Sequence, residues 1–163
     1  MVSVREATTI DDHVLAADLF REYARSLTFT LDFQDFEDEL AAFPSHYAAP
    51  AGCILLAHVD GAPAGCVALR PLSGRICEMK RLYVRQWARG QGVGRALAEA
   101  VVVRARGIGY ERMRLDTLRS MEEANALYRL LGFEEIEPYC ENPFPDACYF
   151  EIDLGGGKEP GDA

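Results

Sequence analysis

Alternating apolar and polar positions predict a series of short β-strands along this chain. The clearest pair covers about Cys53–Val59 and Gly65–Leu69, two runs rich in aliphatic residues. Asp60 and Gly61 stand between them, and an Asp-Gly pair at this place is a strong signal for a tight hairpin turn. Further strands are predicted from the segments VSVREAT, ICEMKRLYV, RMRLDTL and CYFEIDL.

Helical periodicity marks several other segments. A first helix follows Asp11 or Asp12, either of which can serve as its N-cap, and continues to about Leu27. The others are predicted at about Phe33–Phe43, which Pro44 ends; at about Gly92–Arg106, which Gly107 and Gly109 end; and after Ser120, which forms a capping box with Glu123, up to Gly132. Strands and helices therefore mix along the chain, which favours an α+β (mixed α/β) fold.

Length and composition are typical of one globular domain. The chain has 163 residues, of which 49% are hydrophobic, so we predict a single domain over 1–154 and a disordered tail over 155–163. The sequence shows neither a signal peptide nor an apolar run long enough to cross a bilayer. The five cysteines lack C-x-x-C spacing and the three histidines are scattered, so we expect free thiols, no metal site and a cytoplasmic location.

Charge is unevenly distributed along the chain. The formal net charge is −9, which argues against nonspecific binding to nucleic acid. Residues 80–112, however, hold eight basic and two acidic side chains, a local net charge of +6, and they include a glycine-rich run. A solvated helix face is one explanation of this segment, and a binding site for a small polyanion is the other.

The glycine-rich run is RGQGVGRAL at residues 89–97, where a predicted strand leads into a predicted helix. The first backbone N–H groups of a helix lack internal partners and carry partial positive charge, so this junction suits a phosphate group. Arg89 and Arg95 add forked donors. The run has no lysine for a Walker loop, and Arg95 stands where a Rossmann fingerprint needs its last glycine. A flexible helix start that binds nothing explains the run about equally well.

The spacing Arg89-x-x-Gly92-x-Gly94 resembles the acetyl-CoA pyrophosphate loop of the GNAT superfamily of N-acetyltransferases, which allows glycine or alanine at the last position. The preceding segment EMKRLYV resembles the family's fourth strand, and the later ALYRLLGF resembles the segment that closes its core. The similarity covers roughly Ala51 to Phe133. It implies a mixed, mostly antiparallel sheet flanked by helices, in which a splayed strand pair binds acetyl-CoA.

The resemblance also implies roles for residues around the cofactor. The pantetheine arm of acetyl-CoA would pair with the backbone of Leu82, Tyr83 and Val84, and an N–H near Leu82 would stabilise the developing oxyanion. The pyrophosphate would bind N–H groups of the loop residues Arg89, Gly90, Gln91, Gly92, Val93, Gly94 and Arg95. Relatives often have an asparagine seven residues before the active-site tyrosine; here Met121 stands there, and Asn125 lies one turn on.

Acetyl transfer to an alkyl amine benefits from a general base, because an amine with a pKa of about 10.4 is almost wholly protonated at neutral pH. Glu78 is the predicted base: it lies 11 residues before Arg89, the spacing of the catalytic glutamate in many relatives. Its other interpretation is a buried partner for Lys80, Arg81 or another core cation. Tyr128 matches the tyrosine that protonates the departing CoA thiolate in relatives, and a structural core aromatic is its other interpretation.

Two stretches are predicted to border the acceptor pocket of such a fold. They supply Phe33, Gln34 and Tyr47 on one side and Tyr139 and Asn142 on the other, although ordinary packing explains each residue individually. The predicted acceptor is a primary amine of a small molecule, and the acidic flanks favour a cationic one. The alternatives are an amine of a protein or peptide, a non-catalytic CoA-binding module, and a phosphate-binding domain unrelated to CoA. A homodimer is expected only by analogy with relatives.

Overall fold

The structure, a computed structural model, describes residues 1–26, 47–142 and 144–155 of the chain. Its elements are β1 (Val2–Glu6), α1 (Ile10–Ser26), β2 (Cys53–Val59), β3 (Ala62–Ser73), β4 (Ile76–Val84), α2 (Val93–Ile108), β5 (Arg112–Leu118), α3 (Glu122–Leu130), β6 (Glu134–Ile136) and β7 (Ala147–Asp153). The helix predicted at Phe33–Phe43, with Phe33 and Gln34, lies outside the described residues. No helix within the described ranges is long and apolar enough to cross a membrane.

The strands form one seven-stranded sheet in the order β1-β2-β3-β4-β5-β7-β6. Neighbouring strands run antiparallel, except that β4 and β5 run parallel. The mixed, mostly antiparallel sheet with flanking helices that the sequence predicts is therefore confirmed. The single parallel contact lies near the middle of the sheet, and it becomes important for the site described below.

The predicted hairpin between β2 and β3 is present. Asp60 and Gly61 have φ angles of 50° and 84°, so both central residues are left-handed, as a type I′ turn requires. β3 is longer than predicted, since it begins at Ala62 and runs through Pro71 to Ser73. Its pairing with β4 is irregular between Pro71 and Ser73, a position where a residue without an N–H donor is tolerated.

Hydrophobic layers cover both faces of the sheet. Side chains alternate along a strand, so neighbouring residues of β2 and β3 enter different layers. Leu55 and Val67 belong to the layer that includes the buried side of α2. Ile54 and Ala68 belong to the other layer, together with Phe20 of α1. We call these the α2 layer and the α1 layer.

Two helix ends differ from the prediction. α1 begins directly after Thr9, whose Oγ1 accepts the Asp12 N–H at 3.0 Å, while Asp12 Oδ2 accepts the Thr9 N–H at 3.2 Å. Thr9 is thus the N-cap with Asp12 as its reciprocal partner, and the predicted cap at Asp11 or Asp12 is wrong. Gly109, with a φ of 110°, ends α2, whereas Gly107 lies inside the helix.

The predicted capping box at Ser120 and Glu123 is wrong as well. Met121 is the N-cap of α3, and its side chain makes no cap hydrogen bond. The Ser120 hydroxyl instead donates to Asp146 Oδ2 at 3.3 Å, in the segment before β7. A partner distant in sequence has therefore taken the hydroxyl that the local pattern assigned to the helix.

Candidate active site

β4 and β5 pair over only part of their length. Their parallel register begins at Ile76 opposite Arg112 and ends at Glu78 opposite Arg114. Both strands continue beyond these positions, β4 by six residues to Val84 and β5 by four to Leu118. Their ends therefore diverge, and we call the gap between them the split.

A bulge in β4 lies at the start of the split. Arg81 and Leu82 together stand opposite Val67 of β3, because the register passes from Lys80 directly to Tyr83. Arg81 has a φ of 59°, a left-handed conformation that is uncommon for residues other than glycine. Bulges bend a strand and increase its twist, so this one accounts for the change in direction of β4 as it leaves β5.

Glu78, Lys80 and Asp116 share one face of the sheet beside the split. Glu78 is opposite Arg114, and Asp116 follows two residues later on β5, so strand alternation brings both carboxylates to the same side. Lys80 pairs with Ala68, which belongs to the α1 layer. We call this side of the sheet the α1 face.

Glu78 is a buried carboxylate, with only 2% of its side chain exposed. Its Oε1 accepts from Arg70 Nε at 2.8 Å, and its Oε2 accepts from the Tyr139 hydroxyl at 2.6 Å. The cation beside it is therefore Arg70 of β3, neither Lys80 nor Arg81. Burial, together with the Glu78 charge and hydrogen bond, raises the pKa of Tyr139, so this phenol remains a neutral donor.

Asp116 is a second carboxylate of the α1 face, and its contacts are looser. Its Oδ1 lies 3.5 Å from Lys80 Nζ, and its Oδ2 accepts from Asn142 Nδ2 at 3.1 Å. The Cys140 thiol is 4.0 Å from the same Oδ2. The segment between β6 and β7 thus brings both of its predicted acceptor residues to the split, since Tyr139 contacts Glu78 and Asn142 contacts Asp116.

Tyr128 of α3 is buried in the α2 layer. Its ring centroid lies 5.8 Å from that of Phe133 and 6.1 Å from that of Phe150. Burial raises the pKa of Tyr128, and the nearby Tyr23 and Asp116 add to this effect, so the phenol keeps its proton at neutral pH. Among the described residues, no hydrogen bond is recorded for its hydroxyl group, and 6% of the residue is exposed.

The glycine loop that follows β4 needs glycine for its conformation. Gly90 and Gly92 have φ angles of 80° and 82°, and a Cβ atom at either position would meet nothing within 4 Å. At Gly94 a Cβ atom would lie 3.6 Å from Val84 Cγ2 and 3.8 Å from Leu127 Cδ2, which are ordinary contacts. Alanine therefore fits at Gly94, as the sequence pattern allows.

Both arginines of the glycine loop have partners within the protein. Arg89 Nε donates to the Val84 carbonyl at 3.1 Å, and Arg95 Nε donates to a carboxylate one turn on in α2 at 2.7 Å. A guanidinium has five donors, so each retains N–H groups for a phosphate. The first backbone hydrogen bond of α2 runs from Ala96 to Gly92, which leaves the earlier N–H groups of the helix without an intrahelical acceptor.

The remaining predicted residues have mixed positions. Val93 is buried in the α2 layer, and the Gln91 amide donates to the Trp87 carbonyl at 3.2 Å. Tyr83 donates its hydroxyl to Glu22 Oε1 at 3.3 Å. Tyr83 also lines a cavity of about 650 Å³ at the end of β4, with Glu22, Arg85, Gln86 and Trp87.

Tyr47, which was predicted to border the acceptor pocket, lies in the hydrophobic core. Its exposed fraction is 2%, and its ring stands edge-on to Phe20 of α1 at 5.9 Å. It belongs to the α1 layer, between β2, β3 and the helix. Tyr47 therefore packs in the core, and the structure does not bring it to the split.

The start of α3 has Met121 at the position where relatives often have an asparagine. The Met121 sulfur contacts the Thr117 hydroxyl at 3.6 Å and offers no amide at this position. Asn125 donates through Nδ2 to the Leu118 carbonyl at 2.9 Å, at the end of β5. Its Oδ1 is buried without a partner among the described residues. Asn125 thus fixes α3 to the strand that borders the split.

Arg70, Lys80 and Asp116 were not selected as site residues from the sequence. In ICEMKRL and RMRLDTL, polar side chains alternate with apolar ones, which is the ordinary pattern of a strand with one solvated face. Nothing in that pattern distinguishes a solvated face from one covered by a distant loop. The only available signal for Lys80 and Asp116 is the polar side chains at alternate positions of these two strands, the first of which leads into the glycine loop.

Comparisons with known proteins identify the family. The model of the acetyltransferase (GNAT) family matches residues 16–133 of the chain. An uncharacterized N-acetyltransferase of Schizosaccharomyces pombe is 39% identical over 138 residues, which cover 83% of this chain and 85% of the relative. The chain belongs to the GNAT family. A further uncharacterized N-acetyltransferase, from Escherichia coli, is 29% identical over 139 residues, covering 82% of this chain and 83% of that one.

Solved structures show the same GNAT fold. An acetyltransferase of Streptococcus agalactiae matches with a TM-score of 0.75 and 20% identity, covering 93% of this chain and 98% of that chain. A Salmonella typhimurium protein solved with its cofactor acetyl-CoA matches with a TM-score of 0.70 and 18% identity over 94% of both chains. At these identities the likeness concerns the fold alone.

The GNAT enzyme described here is an N-acetyltransferase of a family that uses acetyl-CoA. Three features of its own structure fit that cofactor. The split gives an extended molecule two strand edges, the left-handed Gly90 and Gly92 give phosphates an approach to the backbone, and the start of α2 offers free N–H groups. Neither the acceptor nor the catalytic residues follow from family membership.

Proposed function

We propose that this GNAT enzyme transfers the acetyl group to a primary amine of a small molecule by direct transfer. The observation that carries the proposal is the split, which opens beside Glu78 and leads into the glycine loop at the end of the same strand. Acetyl-CoA supplies an acetyl group activated as a thioester. The backbone of 82–84 binds its pantetheine arm, and the loop of 89–95 binds its pyrophosphate.

Glu78 acts as the general base in this proposal. It takes a proton from the acceptor amine and so produces the neutral nucleophile. Arg70 and Tyr139 fix the orientation of the carboxylate from two sides. A carboxylate oxygen has more than one lone pair, so Oε2 can accept from the amine, or from a water bound to it, while the Tyr139 hydrogen bond remains.

Tyr128 acts as the general acid. It donates its phenolic proton to the sulfur of CoA as the carbon–sulfur bond breaks, and the proton that the attacking nitrogen releases on forming the amide restores the phenol. Two properties support this role: a phenol carries its proton at neutral pH, and the rings of Phe133 and Phe150 hold the ring of Tyr128 in place. The backbone at Leu82, at the bulge, supplies the N–H that stabilises negative charge on the carbonyl oxygen.

A thermal-shift experiment with acetyl-CoA, CoA, ATP and phosphate tests the cofactor site first. A ligand at about 100 times its Kd adds about 2.7 kcal/mol to the free energy of unfolding, which raises Tm by roughly 5–10 °C. We expect this shift with acetyl-CoA and little with ATP or phosphate. Equal shifts with all four compounds would favour a general phosphate site, and no shift with CoA compounds would refute the proposal.

Two substitutions then test the chemistry, in an assay of CoA thiol release with a panel of small amines and short peptides. We expect Glu78→Gln and Tyr128→Phe each to lower kcat about 100-fold and to retain the acetyl-CoA thermal shift. Glu151→Gln is the matched control, because Glu151 accepts from Arg114 at 2.7 Å on the closed part of the same face. If the enzyme prefers the peptides, the proposal of a small-molecule acceptor is wrong and a peptide or protein amine takes its place. A cytoplasmic location and a homodimer stay predictions.

A further inference from the structure

Asp116 differs from Glu78 in how strongly the protein holds it. Glu78 has 2% of its side chain exposed and contacts the Arg70 guanidinium at 2.8 Å. Asp116 has 17% exposed, and its ion-pair contact with Lys80 Nζ is 3.5 Å long. An ammonium is a compact charge on a flexible stem, whereas a guanidinium is a planar fork with fixed directions. Of the two pairs, the contact between Lys80 and Asp116 is the one that another cation can replace.

The two oxygens of Asp116 have different surroundings. Oδ2 accepts from Asn142 Nδ2 at 3.1 Å, which fixes the orientation of the carboxylate. Among the residues the structure describes, the ammonium of Lys80 is the only partner recorded for Oδ1. This ammonium reaches across the split, from β4 to β5, just beyond the last paired residues Glu78 and Arg114. An alkylammonium group of the protein itself therefore occupies a place between the diverging strands.

Phenol rings lie within electrostatic reach of the same carboxylate. Burial is the main cause of the raised pKa of Tyr128, Tyr139 and Tyr149, and the negative charge of Asp116 adds to the shift of all three. Asp116 thus combines one oxygen fixed by Asn142 with one held only by a flexible ammonium, which makes it a suitable site for the ammonium ion of a bound molecule.

We infer that Asp116 binds the ammonium group of the acceptor, and that the Lys80 ammonium holds this place when no acceptor is bound. The inference rests on the proposed function and narrows its acceptor to a primary alkylamine that arrives in the protonated form. At neutral pH this is by far the more abundant form, since only about one molecule in a thousand of such an amine is neutral. Glu78, at the neighbouring position of the same face, then takes the proton.

The test replaces Lys80 and asks whether a free alkylammonium ion takes its place. In Lys80→Ala, we expect n-butylammonium chloride to give a saturable rise in Tm of about 2–4 °C, relative to sodium chloride at the same ionic strength. In Lys80→Ala/Asp116→Asn the rise should disappear, and in the wild type it should be smaller because Lys80 competes. A folded Lys80→Ala variant that n-butylammonium does not stabilise, or stabilises equally without Asp116, would overturn the inference.

A measurement on the wild-type protein covers the case in which Lys80→Ala does not fold. Lys80 and Lys158 are the only lysines of the chain, so a protein with isotope-labelled lysine gives two side-chain NMR signals. We expect n-butylammonium to move the Lys80 signal saturably and to leave that of Lys158 unchanged. Asp116→Asn should remove the response. Equal movement of both signals, or none in Lys80, contradicts displacement at Asp116.

Failure of the inference is distinguishable from failure of the proposed function. The acetyl-CoA thermal shift is measured in every variant, and CoA thiol release is measured with n-butylamine in Lys80→Ala. Stabilisation by n-butylammonium without thiol release would support Asp116 as an ammonium site and count against the catalytic proposal. Retained acetyl-CoA binding and thiol release without any effect of n-butylammonium would contradict the ammonium site at Asp116 and leave the catalytic proposal in place.

Discussion

At the scale of single residues, the Tyr139 hydroxyl is the contact that most directly affects the proposed base. Tyr139→Phe removes its 2.6 Å hydrogen bond to Glu78 Oε2 and keeps the ring beneath Arg114, whose guanidinium carbon lies 5.5 Å from the ring centroid. Tyr139→Phe therefore loses one of the two contacts that orient Glu78. We expect kcat to fall about tenfold, the usual scale of a hydrogen bond to a charged group, while the acetyl-CoA thermal shift is retained.

Tyr149→Phe is the control for this prediction. It removes a hydroxyl that donates to the Cys140 carbonyl at 3.1 Å, in the same segment, without contact to a carboxylate. Its kcat should match that of the wild type. If both variants lose kcat equally, or if Tyr139→Phe loses the acetyl-CoA thermal shift as well, Tyr139 supports the loop and does not orient Glu78.

Sequence reasoning could propose Glu78 from its spacing before Arg89, and Tyr128 from its place in the segment ALYRLLGF. It could place Tyr139 and Asn142 only at the border of the acceptor pocket, without the carboxylates that they contact. Tyr139 is 61 residues from Glu78, and Asn142 is 26 residues from Asp116. Such contacts depend on strand register and on where a loop crosses the sheet, and a local pattern of residue types contains neither. The charged pairs of the α1 face therefore needed the structure.

At the scale of elements, the end of β4 depends on a glycine in the neighbouring strand. A Cβ atom at Gly65 would collide with the Tyr83 carbonyl oxygen and would lie 3.3 Å from both Val84 Cα and Leu97 Cδ1. Gly65→Ala should therefore displace the end of β4 that borders the split, and lower the free energy of unfolding by about 1–3 kcal/mol. We expect a lower Tm and a weaker acetyl-CoA thermal shift at a fixed ligand concentration.

Gly107→Ala is the matched control for Gly65→Ala. Gly107 lies inside α2, and a Cβ atom there would meet nothing within 4 Å. Alanine is the better helix former, so the free energy of unfolding of this variant should rise by about 0.5–1 kcal/mol. It should bind acetyl-CoA as the wild type does. A Gly65→Ala protein with normal acetyl-CoA binding would show that this edge of β4 does not contribute to the cofactor site.

The same scale shows which local signals are reliable. The hairpin was predictable because Asp60 and Gly61 need nothing beyond their own backbone to form the turn. The helix starts were not, since several polar residues compete for each cap. Thr9 rather than Asp11 caps α1, and Ser120 donates to a loop residue instead of capping α3. A side chain that satisfies a local motif can be used elsewhere when the tertiary fold offers a partner.

At the scale of the whole molecule, ion pairs connect elements that the sheet order alone does not join. Arg5 and Glu6 are neighbours on the edge strand β1, so their side chains leave opposite faces. Arg5 contacts Asp12 of α1 at 2.7 Å, and Glu6 contacts Arg104 of α2 at 2.7 Å. One strand is thus tied to helices on both sides of the sheet. The net charge of −9 gives no indication of these ion pairs. Because they involve carboxylates, the global stability depends on pH.

Asp12 shows the direction of that dependence. Hydrogen bonds from Arg5, and then from the Thr8 and Thr9 N–H groups, hold the pKa of Asp12 well below its ordinary range. A depressed pKa in the folded state means that the contribution to stability is fully present above the pKa of the unfolded chain, about 3.9, and is lost as pH falls towards the folded value.

Asp12→Asn removes this contribution. Its free energy of unfolding, from urea titrations between neutral pH and about pH 3, should therefore fall less steeply than that of the wild type. Asp11→Asn removes the same formal charge from the exposed neighbour and should keep the wild-type slope. Equal slopes in all three proteins would mean that the junction of β1 and α1 does not control acid unfolding.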